Sequence, residues 1–291
     1  MTALKARLFV WLQYLLPRYA MTALIYRIAR LRAVPVKNAL ISGFVRWFKV
    51  NIDDAAAAVP DGYATFNDFF TRALSAGARP VDGGGLSIVS PVDGTVSAAG
   101  SIQEGMLLQA KAHRYSLQDL LATDLHDAAN FDGGHFMTIY LAPYNYHRVH
   151  APVAGNLVAA RYVPGDLFSV NEATVSQVPG LFARNERLVC HFATDAGPVA
   201  VLLVGALNVG SISTPWTGEI RPRAKGVVEQ LALPPTVATR LAKGDLLGWF
   251  NMGSTVIVLL PRGAATLRDD LVPGTKLQMG EPVASLHSLA P

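Results

Sequence analysis

The sequence predicts an α+β protein, with amphipathic helices at the N-terminus and a mostly antiparallel β body after them. Three observations predict it. Residues 1–52 place apolar side chains at helical spacing. From Leu86 onward the texture changes to short apolar runs, many β-branched, separated by turn residues. Charge divides the chain at nearly the same place. Residues 1–52 hold nine Lys and Arg and no Asp or Glu, while the remainder holds 16 basic and 21 acidic residues. The overall +4 is therefore +9 in one part and −5 in the other.

The N-terminal part divides into three helical pieces. Leu4, Leu8, Leu12, Leu15 and Leu16 share one face, and Pro17 ends that piece or begins the next. Leu24, Ile28 and Leu31 make a second stripe, and Leu40, Phe44, Trp47 and Phe48 a third. The ordinary reading of such stripes is packing on the protein's own core. It does not explain why every charge is positive: Lys5, Arg7, Arg18, Arg27, Arg30, Arg32, Lys37, Arg46 and Lys49. A basic and apolar segment suits an anionic phospholipid membrane better than nucleic acid, which is not expected as a partner. Each Lys or Arg near an anionic leaflet contributes about 1 kcal/mol, so half of them would supply about 4–5 kcal/mol. No spanning helix is expected, because the longest uncharged stretch, Leu8 to Pro17, falls short of the roughly 20 residues required. A secretory signal peptide is the rival reading, with Lys5 and Arg7 ahead of Leu8–Leu16. Pro17, Arg18 and the basic pattern running on to Lys49 count against it.

Residues 53–85 read as a linker with one short helix. Asp53–Gly62 has an alanine run and Pro60-Asp61-Gly62, Phe66–Leu74 is amphipathic, and Ala76–Gly85 is a loop. Residues 86–291 read as the catalytic body, with strands at His135–Leu141, Asn156–Val163, Val199–Leu207 and Thr255–Leu260. Ser116–Leu121 and Pro235–Leu241 are candidate helices. With 51% hydrophobic and 16% charged residues the chain is not disordered. Its single cysteine, Cys190, excludes an intrachain disulfide and a cysteine-rich zinc site.

Walker A, GxGxxG, HExxH and GxSxG motifs are all missing, so nucleotide, dinucleotide and common hydrolase readings lose their strongest signals. Three short stretches remain. Ser90-Pro91-Val92-Asp93-Gly94-Thr95-Val96 puts a carboxylate in a turn, by itself an ordinary turn aspartate. In Tyr144-Asn145-Tyr146-His147-Arg148-Val149-His150 two histidines three apart face opposite ways on a strand, so they do different jobs. On a helical turn the same pair would suit a metal, although Pro143 and Pro152 disfavour a long helix. Phe250-Asn251-Met252-Gly253-Ser254-Thr255 sets a glycine before a serine at a strand entry, usually just a bend. Together, Asp93, one of the two histidines and Ser254 are the parts of an orienter, base and nucleophile relay.

The sequence resembles the phosphatidylserine decarboxylases, in particular the bacterial membrane-associated type. The likeness runs from Leu12-Gln13-Tyr14 to the strand after Ser254. It rests on Thr65-Phe66-Asn67-Asp68-Phe69-Phe70-Thr71-Arg72, Pro91-Val92-Asp93-Gly94 and Tyr146-His147-Arg148-Val149-His150. Further blocks are Val163–Asn171, Leu181–Arg187, Val204-Gly205-Ala206, Val209-Gly210-Ser211-Ile212 and Gly253-Ser254-Thr255. The resemblance implies a proenzyme that cuts itself between Gly253 and Ser254, into chains of residues 1–253 and 254–291. Ser254 would then become an N-terminal pyruvoyl group. That covalent cofactor forms a Schiff base with the amine of phosphatidylserine and acts as an electron sink for loss of CO₂, leaving phosphatidylethanolamine.

The residue types suit this chemistry. A glycine at 253 lets the backbone bend around the attacked carbonyl, and the Ser254 hydroxyl needs a base. By the family's relay His150 is that base and Asp93 its orienter. His147 is the candidate acid for the decarboxylation, and Ser169 and Asn171 are candidate phosphate donors. The resemblance also implies a homodimer, and the positive charge without a signal peptide points to a peripheral place on the cytoplasmic face of the inner membrane. One departure is Lys243-Gly244-Asp245-Leu246, where many members have a glutamate in place of Leu246. Two rival readings stand beside this one. A lysostaphin-like zinc peptidase would use Asp93, His147 and His150. A lipoyl- or biotin-carrier-like module would share the Pro91–Val96 strand opening, but it lacks a Met-Lys turn.

Overall fold

The structure is a computed structural model describing residues 3–110, 113–123, 125–208, 210–223, 226–233, 235 and 239–287. Three helices open the chain: α1 (Ala3–Leu15), α2 (Arg18–Ala29) and α3 (Val34–Phe48). Pro17 stands at the N-cap of α2, so the break falls at the residue that cannot continue a helix. A fourth, short helix α4 (Phe66–Phe70) begins at Thr65, whose hydroxyl accepts from the Asp68 N–H at 3.1 Å.

Among the described residues the main sheet has nine strands. Across it run Glu229–Gln230, Gly155–Val163, Arg187–Thr194, Gly197–Val204, Ser254–Leu260, His135–Leu141, Gly94–Ser101 and Lys276–Leu277, with Arg240–Leu241 also on Gly155–Val163. All these ladders are antiparallel. The expected helix at Pro235–Leu241 lies partly outside the described residues, and its end, Arg240–Leu241, is a strand. The expected strand at Val199–Leu207 stops at Val204, whereas His135–Leu141 occurs with the bounds read from sequence. A four-stranded sheet joins Gly218–Ile220, Ile212–Thr214, Leu246–Phe250 and Arg148–His150.

Ser254–Leu260 is buried at every position and flanked on both sides, as its continuous Ser-Thr-Val-Ile-Val-Leu-Leu run requires. A second, smaller core joins Ala29, Ile41 and Val50 to Tyr63, Phe66, Phe69 and Phe70. The linker region is thereby welded to α2 and α3. The first helix behaves differently. Its leucine stripe faces away from the protein: Leu4, Leu8, Trp11, Leu12 and Leu15 are exposed. The face on the body is Ala6, Val10 and Gln13. Gln13 holds it there, donating to Thr174 Oγ1 at 3.0 Å and accepting from the Ser169 N–H at 2.8 Å.

Candidate active site

Sheet register brings the three sequence candidates to one end of the body. Thr95 and Thr255 oppose Tyr140 from the two sides of the His135–Leu141 strand. Asp93, two residues before Thr95, and Ser254, one before Thr255, therefore sit at the same mouth. His150 closes the Arg148–His150 strand, and its backbone N–H donates to the Pro91 carbonyl at 2.9 Å.

Convergence does not make them hydrogen-bond to one another. Buried Asp93 is held by Arg79, whose Nε lies 2.9 and 3.0 Å from the two carboxylate oxygens and whose Nη2 lies 2.6 Å from Oδ2. The Met279 N–H adds a fourth bond at 2.9 Å. The orienting partner of His150 is instead the Gly244 carbonyl, 2.8 Å from Nδ1. A carbonyl only accepts, so Nδ1 carries the hydrogen. That leaves the Nε2 lone pair to accept from the Tyr146 hydroxyl at 3.0 Å. This is the tautomer a base needs. Burial is the main cause pulling the His150 pKa below 6.5, so the ring is neutral at neutral pH. The expected Asp93–His150 orienting bond is thus replaced by one to a backbone oxygen, because Arg79 and Met279 occupy the carboxylate.

Ser254 Oγ is fully buried and has no hydrogen-bond partner. On Gly253 a Cβ would meet nothing nearer than the Leu141 carbonyl at 4.0 Å, so there is free space beside the bond that joins the two residues. Behind this bond lies a polar cluster. Asn251 donates to Ser211 Oγ at 2.7 Å and Ser213 Oγ at 2.9 Å, and accepts from Asn67 Nδ2 at 3.0 Å. Ser211 passes its own hydrogen to Glu219, which also takes the Tyr26 hydroxyl at 2.9 Å and Arg30 at 2.5 Å. The approach to Ser254 is thereby hydrogen-bonded through to α2.

His147 lies just ahead of the Arg148–His150 strand, wholly buried and stacked on Phe70 at 4.1 Å. Its Nε2 sits 3.1 Å from the Ala142 carbonyl, next to Leu141, the register partner of Ser254. Its Nδ1 has no partner. Burial first, and then the charge of Arg72, push its pKa down to about 3. Leu246 is the register partner of His150, so an apolar side chain stands opposite it. Asp245 does not supply a carboxylate there, since its own accepts from the Ala242 N–H at 2.7 Å and closes its own turn.

Ser169 and Asn171 stand beside the N-terminal helix. Asn171 caps the Glu172–Val175 helix, with Oδ1 3.1 Å from the Thr174 N–H, and Ser169 joins Gln13 of α1. Ser169 makes that bond through its backbone N–H, so its hydroxyl is not spent on it. Among the described residues no group of three or more His, Cys, Asp or Glu is placed to hold a metal ion. Sequence reading gave no role to Arg79, Tyr146, Asn251 or the Gly244 carbonyl. For Tyr146 the one signal was its place four residues from His150.

Fold and site define an antiparallel β body with a buried serine at the entry of a central strand, and with a neutral histidine and a paired carboxylate at the same end of the sheet. A family model described as phosphatidylserine decarboxylase matches residues 66–285, and one described as PSD matches residues 8–49. The chain is 47% identical over 284 residues to a phosphatidylserine decarboxylase proenzyme of Azotobacter vinelandii, covering 96% of this chain and 98% of the relative. It is 44% identical over 287 residues to the proenzyme of the same name from Saccharophagus degradans, covering 99% and 100%. The chain belongs to the phosphatidylserine decarboxylase family.

Proposed function

We infer that this chain decarboxylates phosphatidylserine to phosphatidylethanolamine, after cutting itself between Gly253 and Ser254. The family membership carries the reaction. The observation that carries the self-processing is Ser254 Oγ, buried and without a partner, directly after an uncrowded glycine. The hydroxyl attacks the Gly253 carbonyl and the peptide bond becomes an ester. His150 takes the hydroxyl proton on Nε2 once Tyr146 yields that position, while the Gly244 carbonyl holds the ring in the basic tautomer. Asp93 supports the same turn as one half of the Arg79 pair and favours the imidazolium that forms. Elimination then separates residues 1–253, ending in a carboxylate, from 254–291, and the dehydroalanine left at 254 takes up water and releases ammonia to become the pyruvoyl ketone.

The pyruvoyl group left at residue 254 supplies a carbonyl electron sink for the amine and carboxylate of the serine headgroup. Ser254 fits that role by position, since it heads a strand held on both sides and its side chain competes with no other bond. His147 is the proton donor for the carbon that loses CO₂. An anionic headgroup beside it opposes the charge of Arg72 and favours its protonated form.

The outward stripe of α1 seats the enzyme on an anionic bilayer. Lys5, Arg7, Arg27, Arg32 and Arg46 are exposed, which at about 1 kcal/mol each gives about 5 kcal/mol of attraction before apolar insertion. Among the described residues no single helix is long and apolar enough to cross a membrane, although α1 and α2 together pass by length and composition with an 88° bend between them. The basic face supports the cytoplasmic leaflet of the inner membrane as the surface. A homodimer of processed units is the assembly the resemblance implies, and sedimentation of the purified protein tests it.

Intact mass tests the processing. Two chains, the smaller of 38 residues and beginning at position 254, are expected, and an uncut yet active protein would overturn the reading. Cyanoborohydride with phosphatidylserine should trap an adduct on the small chain; an adduct on a lysine would point to a different cofactor.

A further inference from the structure

Beside the Asp93 turn is a cavity of about 300 Å³, lined among others by Lys49, Arg72, Arg79, Asp93, Tyr146 and Lys276. Its charges do not balance. Both acidic groups, Asp54 and Asp93, are engaged by Arg79. Arg72 is 4% exposed, and its Nε and Nη1 have no hydrogen-bond partner. Among the described residues no ion pair reaches Lys49, Arg72 or Lys276. A guanidinium stays protonated even where burial opposes it, so a buried one without an anion is an unfavourable arrangement that a ligand would relieve. Phe69 and Phe70 fix where it lies: Arg72 packs over the Phe69 ring at 5.1 Å, and Phe70 carries His147.

We propose that Arg72 is the anchor for the phosphodiester of the substrate headgroup, its planar fork taking two phosphate oxygens in this cavity. The proposal rests on the decarboxylase reading and names the site of that reaction that grips the lipid. The headgroup offers two anions, and their chemistry separates them. A cation paired with the carboxylate would stabilise the ground state and hold back loss of CO₂, whereas the phosphate is unchanged through the reaction and is a safe handle. Fork-shaped recognition of phosphate oxygens is what an arginine gives and a lysine does not. Lys49 and Lys276 add positive field at the cavity wall.

The test uses full-length processed enzyme, Arg72→Gln and Arg72→Lys, assayed in mixed micelles. Both variants should still cut themselves, as read by intact mass. In Arg72→Gln the KM for phosphatidylserine should rise at least tenfold, by a larger factor than any change in kcat, which also reads the loss of the Arg72 charge near His147. Product inhibition by phosphatidylethanolamine, which has the phosphate and lacks the carboxylate, should weaken in parallel. Arg72→Lys should fall between. A raised substrate KM with unchanged product inhibition would assign Arg72 to the carboxylate, and no change in either would empty the site; both overturn the proposal.

The wild-type enzyme supplies an arm that survives a misfolded variant. Glycerophosphoethanolamine should compete with substrate where ethanolamine does not, and equal potency of the two would overturn the proposal. Inorganic phosphate competing as well as glycerophosphoethanolamine would mean a site for free phosphate, and would overturn the lipid assignment. Wild-type protein that processes itself but releases no CO₂ from phosphatidylserine would sink the decarboxylase reading itself, an outcome distinct from active wild type with indifferent variants.

Discussion

The helical segment and the β body use apolar residues in opposite senses. In Ser254–Leu260 every side chain is buried between two neighbouring strands. In α1 the leucines and Trp11 face outward, and the side turned to the body carries Ala6, Phe9 and Val10, with Gln13 as the tie. A helix seated on its own protein reverses that arrangement. The contrast teaches that periodicity finds a helix's apolar face but not what the face meets. Here the accompanying charge, all of one sign, carries that information.

The largest effects should come from the body. Ser254→Ala and His150→Ala are expected to remain single chains of full length by mass spectrometry, with decarboxylation at background. Cleavage of His150→Ala at the normal rate would remove it as base. Next is Asp93→Asn, which breaks a buried pair with Arg79. We expect slowed cleavage and a loss of about 3 kcal/mol in urea unfolding. Normal stability would mean that Asp54 alone satisfies Arg79.

The segment should respond by a different measure. Leu8→Gln with Leu12→Gln should weaken sedimentation with anionic vesicles about tenfold per leucine, at about 1.5 kcal/mol or more each, and leave the melting temperature unchanged. Gln13→Ala, one residue further, should do the reverse, with about 1 kcal/mol of stability lost and vesicle binding retained. If the outward leucines matter to stability and not to binding, the contrast between the two regions fails. Arg27→Gln with Arg32→Gln should cost about 1 kcal/mol of binding each, an effect that fades in high salt.

The smallest effect concerns pH. His147 has an ordinary pKa of 6.5 that the folded protein lowers to about 3. A depressed folded value means the stabilising contribution is present above about pH 6.5 and is lost as pH falls toward 3, because the unfolded chain takes up the proton first. The melting temperature of wild type should therefore drop between pH 7 and pH 5 by a few degrees more than that of His147→Gln.

Much of this was legible in the sequence. The helix break follows from Pro17 and the His135–Leu141 strand from its short, largely apolar run. What could not be read are partners without a local signature. Arg79 meets Asp93 14 residues away by sequence, and nothing in the Ala76–Gly85 loop marks which arginine does so. The acceptor that orients His150 is a backbone carbonyl 94 residues on, which every residue possesses. Asn67 and Asn251 are 184 apart. Asn171 followed three residues later by Thr174 is a helix cap, a local signature that the sequence does carry.

The place of Ser254 in the sheet bears on what happens to the piece that begins there. Its strand is in register with seven residues of His135–Leu141 on one side and with five of Gly197–Val204 on the other. A break in the chain before Ser254 therefore releases nothing. The 38-residue fragment stays threaded between two strands of the larger one, and extracting it would unzip both ladders and open the core. A terminus made there would be clamped from the start, and the two pieces should separate only when the whole body unfolds.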